Sequence, residues 1–322
     1  MVANSKSNNA SVLVADTMDE FDLDTMNYAL FSLETLTNVL FIFVVGVLFY
    51  VCIYQKSLHA NFRATLFLAA CGHLGGSVHR IILVSIRIVS IGKRDTPIVG
   101  QLYLLQITAL YIAMFGWQFV IVERAIATVY SSKYEKHFAG FGVPTILCGI
   151  VLTMSALFLC ISIFHLFAYF DFFFLGLQIV VVLVCFVAVS IMLVYNSSAY
   201  RSRHDSMLQL ADRYQLDENV RVAKYLMPVA VNEVLVKFVY ISLLAYSVFF
   251  TDIPLGHDTT HLSHAYDLLF AYQRMFFGLA LTLRSDKFGR YKQREKRRVA
   301  AMMDDRVAAS SSYFTDLKTM WA

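Results

Sequence analysis

Charge is scarce in this 322-residue chain: only 16% of its residues are Asp, Glu, Lys or Arg, against 58% hydrophobic and 15% aromatic. Soluble domains carry about 25% charged residues, so this composition excludes an ordinary soluble fold. Catalytic signatures are missing too. No serine sits between nucleophile-elbow glycines and no phosphate-binding glycine loop occurs, so neither an enzyme nor a bound cofactor or metal is expected. Residues 1–30 lack the basic start and continuous apolar region of a cleavable signal peptide, which leaves the first apolar segment as its own insertion signal. No internal repeat stands out, and the connections are too short for a separate soluble domain. The five cysteines (Cys52, Cys71, Cys148, Cys160 and Cys185) all fall within apolar runs, where they read as small core residues and not as disulfide partners.

What the chain does have is seven long apolar stretches. They run from Leu33 to Tyr54, Ala64 to Val89, Ile98 to Val122, Phe141 to Phe164, Phe172 to Tyr195, Val222 to Phe250 and His264 to Leu283. A hydrocarbon core of about 30 Å needs about 20 helical residues. In lipid each backbone N–H and C=O must be satisfied within its own segment, so the stretches are expected to be helices. The expected fold is an all-α membrane protein, a bundle of seven transmembrane helices. Its basic residues are unevenly placed. Of 27, 20 fall in one alternating set of connections plus the C-terminal tail and 3 in the other set; Arg80, Arg87, Lys237 and Arg274 lie inside spans. Positive loops stay cytoplasmic, which puts the N-terminus outside and the C-terminus inside. The net charge of +4 expresses this rule and says nothing of nucleic acid. The expected organisation is an outer segment 1–32, a membrane domain 33–283 and a basic cytoplasmic tail 284–322.

At the inner end of the third span stands Glu123-Arg124-Ala125-Ile126-Ala127-Thr128. An adjacent acid and arginine at this depth can form a bistable element, the acid holding the arginine at rest and its neutralisation raising basal activity. Arg124 can equally anchor the helix end by snorkelling to phosphates. The run Glu123-Arg124-x-x-Ala127-Thr128 with Tyr134-Glu135, and a second block Arg213-Tyr214-Gln215-x-x-Glu218-Asn219 before the sixth span, resemble the corresponding junctions of nematode serpentine chemoreceptors of the Sra superfamily, the Sre and Srab groups above all. The resemblance implies a seven-helix G-protein-coupled receptor of sensory neurons, carrying the signal of an external odorant or metabolite to a heterotrimeric G protein. It implies a multi-pass plasma-membrane location, with the sensory cilium a natural site. Glu123, Arg124, Tyr134, Glu135, Arg213 and Tyr214 then become the coupling residues. Two features depart from rhodopsin-like receptors: the outer cysteine pair is missing, and Phe270-Ala271-Tyr272-Gln273-Arg274-Met275-Phe276-Phe277 carries no Asn-Pro-x-x-Tyr.

Met207, Leu210, Ala211 and Tyr214 recur at helical spacing, so the connection from Asn196 to Arg221 is expected to extend the fifth or sixth helix beyond the membrane. Its mixed charges suit either a partner's helix or a solvated hairpin. Eight basic residues between Arg284 and Arg298 should hold the tail to an anionic leaflet. Asn9-Ala10-Ser11 is a glycosylation sequon on the outer side.

Ionisable residues inside a membrane should face the bundle interior. His73, Ser77, Arg80 and Arg87 form one stripe on the second span; Glu233 and Lys237 are four apart on the sixth; Asp267 and Arg274 share a face of the seventh. Two readings stand: a structural network in which Glu233, Lys237, Arg274 and Asp267 neutralise one another, or an outer ligand pocket lined by Arg80, Arg87, Tyr103, Gln106 and Asp267. The rival function is a channel or transporter that uses these charges as a solute path.

Overall fold

The computed structural model describes residues 25–54, 58–89, 97–130, 134, 142–164, 170–202, 210–247, 250 and 262–283. Seven long helices account for nearly all of them: α1 (Thr25–Tyr54), α2 (Ala60–Val89), α3 (Pro97–Val129), α4 (Gly142–Ile163), α5 (Phe170–Ser202), α6 (Leu210–Tyr246) and α7 (262–283). No strand occurs among the described residues. The tail, the glycosylation sequon and Glu135 lie outside them, as do the side chains of Arg213 and Tyr214.

Among the described residues six helices are long and apolar enough to cross a membrane. Asp267, Gln273 and Arg274 dilute the seventh, yet Arg274 is buried and Asp267 and Gln273 are mostly buried, so the polar groups turn inward. The surface is inverted relative to a soluble protein. Large apolar side chains such as Phe43, Val184, Val194 and Phe238 are widely exposed, while Glu34, Asn38, Ser77, Arg80, Asn232 and Glu233 are buried. Such a distribution suits a hydrocarbon solvent, in which the costly groups are the polar ones.

Helices α5 and α6 overrun the membrane thickness, with 33 and 37 residues. Both, not one, extend into the connection between them. Helix α6 also continues through Pro228, as membrane helices can when their neighbours satisfy the freed backbone.

Small residues set the spacing of the central pair. A Cβ on Gly72 would collide with Ala113 N and lie 2.7 Å from Ala113 Cα; one on Gly116 would lie 2.9 Å from Ala69 Cα. Gly72 and Gly116 thus let α2 and α3 approach backbone to backbone, the usual basis of tight helix packing in lipid. Around this pair Phe41, Leu66, Trp117, Val120, Tyr225, Leu226 and Phe277 form the core, joining α1, α2, α3, α6 and α7. The bundle has two unlike ends, called here the basic end, where the loops with most of the Lys and Arg emerge, and the far end.

Candidate functional site

At the basic end α3 finishes in a buried acid–arginine pair. Arg124 donates from Nε and Nη2 to the two oxygens of Glu123, both at 2.5 Å. Its Nη1 faces Glu218 Oε1 of α6 at 3.5 Å, and its guanidinium lies 4.9 Å from the Phe62 ring centroid of α2. Glu218 Oε1 also accepts the backbone N–H of His59 at 2.8 Å. Tyr134, one turn past α3, donates its hydroxyl to Glu123 and accepts from Asn61 Nδ2 at 3.0 Å. Burial, and after it the Glu123 charge, pushes the Tyr134 hydroxyl above the usual tyrosine range, which keeps it a donor. Burial and then Arg124 push His59 below the usual histidine range, so its ring stays neutral beside the guanidinium. Asn219 Nδ2 bonds Ala127 O at 3.1 Å, a second tie between α6 and α3.

Glu123, Arg124 and Tyr134 therefore form one cluster, and the two sequence blocks meet in it through Glu218 and Asn219. Arg124 is 3% exposed and enclosed by side chains, so it is not a snorkelling anchor.

At the far end a cavity of about 390 Å³ opens among α2 to α7. Its apolar walls include Leu110, Met114, Trp117, Phe174 and Phe270; its polar groups include Tyr103, Gln106, Glu233, Lys237, Asp267 and Arg274. Small-molecule sites have this size and this balance of apolar wall and few polar groups. Tyr103, Gln106 and Asp267, expected in a ligand pocket, line it. Arg80 and Arg87 are not among the lining residues. Arg87 is half buried farther along α2. Arg80 is 1% exposed and lies between two carboxylates: Nε meets Glu34 Oε1 of α1 at 2.5 Å, and Nη2 meets Glu34 Oε2 at 3.2 Å and Asp267 Oδ2 at 2.5 Å.

The expected network is arranged differently in detail. Both oxygens of Glu233 accept from Gln273 Nε2 at 2.7 Å, and no ion pair joins Glu233 to Lys237 among the described residues. The i,i+4 spacing allowed that pair, but the Gln273 amide reaches across from α7 and takes the carboxylate. Glu34 escaped the sequence reading. It is the lone charged residue of α1, which is the signal that could have found it.

The family model for Sre G protein-coupled chemoreceptors matches residues 1–315. The chain belongs to this family. No curated protein matches it. As an Sre receptor, a member of a nematode serpentine family, it is a multi-pass membrane protein and a chemosensory G-protein-coupled receptor. Membership decides for the receptor over the channel or transporter. Receptors of this class take small-molecule ligands and couple to G proteins in general. No group of three potential metal ligands occurs among the described residues. His257 and His261 do have the His-x-x-x-His spacing of a zinc pair, which the expectation of no metal overlooked, and they lie outside the described residues.

Proposed function

We propose that the far-end cavity is the ligand site, open to the outside, and that the basic end faces the cytoplasm of a sensory neuron and receives the G protein. The observation that carries this reading is shared structure: α3 and α6 both line the cavity, through Tyr103 to Gln118 and through Glu233 to Tyr240, and both supply the Arg124 cluster. A ligand that shifts α6 against α3 changes the distance between Glu218 and Arg124 without touching either. The contact at 3.5 Å is loose beside the 2.5 Å bonds within α3, so the interhelical tie is the one that gives way. Arg124, Glu123 and Tyr134 then present a surface to the G protein; Glu135, Arg213 and Tyr214 belong to the same coupling reading by their place in the two sequence blocks.

The test is agonist-dependent nucleotide exchange on a heterotrimeric G protein, screened with odorants and secreted metabolites. Arg124→Ala is expected to abolish exchange per receptor at the surface, at a lowered surface level, because it leaves the buried Glu123 and Glu218 without their cation. Unchanged exchange would leave the cluster a structural anchor only.

Orientation follows from the placement of basic residues. A tag after Met1 is expected to be reached by antibody on intact cells and a tag after Ala322 only after permeabilisation. The reverse pattern would invert both assignments. Residence at the plasma membrane, in the sensory cilium in particular, and glycan on Asn9 belong to the same reading.

A further inference from the structure

The cavity's polar groups are unequal in what they have left to offer, and that inequality selects a ligand class. Its two carboxylates are engaged: Glu233 by the Gln273 amide, Asp267 by Arg80. Its two cations make no hydrogen bond or contact ion pair with a described residue, although Glu233 lies near enough to act on Lys237, and Glu34 and Asp267 on Arg274, through space. Arg274 is only 8% exposed, and its side chain makes no hydrogen bond or ion pair with any described residue; its Nε is buried without a partner. Lys237 makes none either and lies 5.8 Å from the Tyr240 ring centroid. Gly76 makes room for the arginine, since a Cβ there would stand 2.9 Å from Arg274 Nη1. A buried guanidinium without a hydrogen-bonded acceptor is costly, and removing that cost favours whatever supplies one.

We infer that the cavity takes a small molecule bearing a carboxylate on an apolar body, the carboxylate received by Arg274 and Lys237. Guanidinium offers paired N–H donors that match the two oxygens of a carboxylate, and the ammonium adds a second charge-assisted donor. The apolar body lies against the α3 and α5 wall, where Tyr111 and Phe174 pack with rings 5.3 Å apart. An amine would meet two cations and two carboxylates already taken. A simple inorganic anion would satisfy the charge but leave the apolar wall bare. The Gln106 amide, which can donate or accept, supports either orientation of the bound group. This inference rests on the cavity being the ligand site.

Purified full-length receptor in nanodiscs of neutral lipid, without G protein, is titrated with octanoate and 4-phenylbutyrate, their primary amides, their amines, and acetate and inorganic phosphate. Binding is read by thermal shift. The two acids are expected to bind at least tenfold more tightly than their amides, and acetate and phosphate at least tenfold more weakly than the acids. Arg274→Gln should reduce the acid-over-amide preference to less than threefold. Lys237→Gln should reduce it partially, and it carries the test if the arginine variant cannot be isolated. Amides or amines binding as well as acids, acid preference surviving in both variants, or no binding by either acid would each overturn the inference. Nucleotide exchange separates this outcome from the receptor reading. Exchange driven by neutral or cationic compounds sinks the ligand class and keeps the ligand site; acids that bind without changing exchange keep the class and sink the site's role in signalling.

Discussion

Replacing Arg80 with Gln is expected to remove most of the receptor from the cell surface. The guanidinium is sealed inside the bundle between Glu34 and Asp267, and it ties α1 to α7 by an ion-pair bridge. Without it the buried Glu34 loses its cation, and Asp267 loses its partner at the cavity wall. Breaking a buried ion pair by removing one partner typically costs about 3–5 kcal/mol, a large part of the roughly 5–15 kcal/mol that holds a domain together. Asp267→Asn should be milder, because Arg80 keeps both bonds to Glu34. The diagnostic experiment adds Glu34→Gln and Asp267→Asn to the arginine variant. A neutral, hydrogen-bonded core should recover surface expression if stranded charge is the cause. Surface labelling of tagged receptor reads all four proteins. Parental surface levels for Arg80→Gln alone would show that the triad is dispensable and would return Arg80 to consideration as a ligand contact.

Arg80 also marks where sequence and structure part company. The stripe His73, Ser77, Arg80 is buried as its spacing implies, because helical periodicity fixes which residues share a face. Periodicity says nothing about what that face meets. Glu34 lies 46 residues away on another helix, and only the rotation of α1 brings it to the guanidinium. The same rotations decide that Arg274, assigned by sequence to a neutralised network, lines the cavity, while Arg80, assigned to the pocket, does not. The seven helices were legible because lipid imposes a minimum apolar length that few other constraints imitate. Their ends were less so: α6 begins at Leu210, well before the apolar run that starts at Val222, because its first turns are polar. At the basic end the two motif blocks were legible as blocks. Their meeting through Glu218 was not, since 94 residues separate it from Arg124.

That meeting reverses one expectation and supplies the sharpest test of coupling. Read as an adjacent pair, Glu123 holds Arg124 at rest, and Glu123→Gln should raise basal activity. In the structure Glu123 lies on the same helix as Arg124, so their bonds cannot hold α6 to α3; the charged restraint between those helices runs through Glu218, beside the Asn219 bond to Ala127 O. The two acids compete for one guanidinium. With Glu123 neutralised, Arg124 has Glu218 as its remaining carboxylate partner in the cluster, and the interhelical contact should shorten from 3.5 Å. Glu123→Gln is therefore expected to lower basal nucleotide exchange. Glu218→Gln should raise it, because it removes the charge that ties α6 to Arg124. A charge-assisted contact this long contributes about 1 kcal/mol, roughly a fivefold change in the open-to-closed ratio. Adding Asn219→Ala, which removes the bond to Ala127 O, should raise exchange further. Exchange is measured in membranes at matched surface expression and without agonist. Opposite signs for the two acids would identify Glu218 as the latch. A rise in both would mean that Arg124 is restrained chiefly by its own helix, and no change in either would mean that opening of α6 does not depend on this arginine.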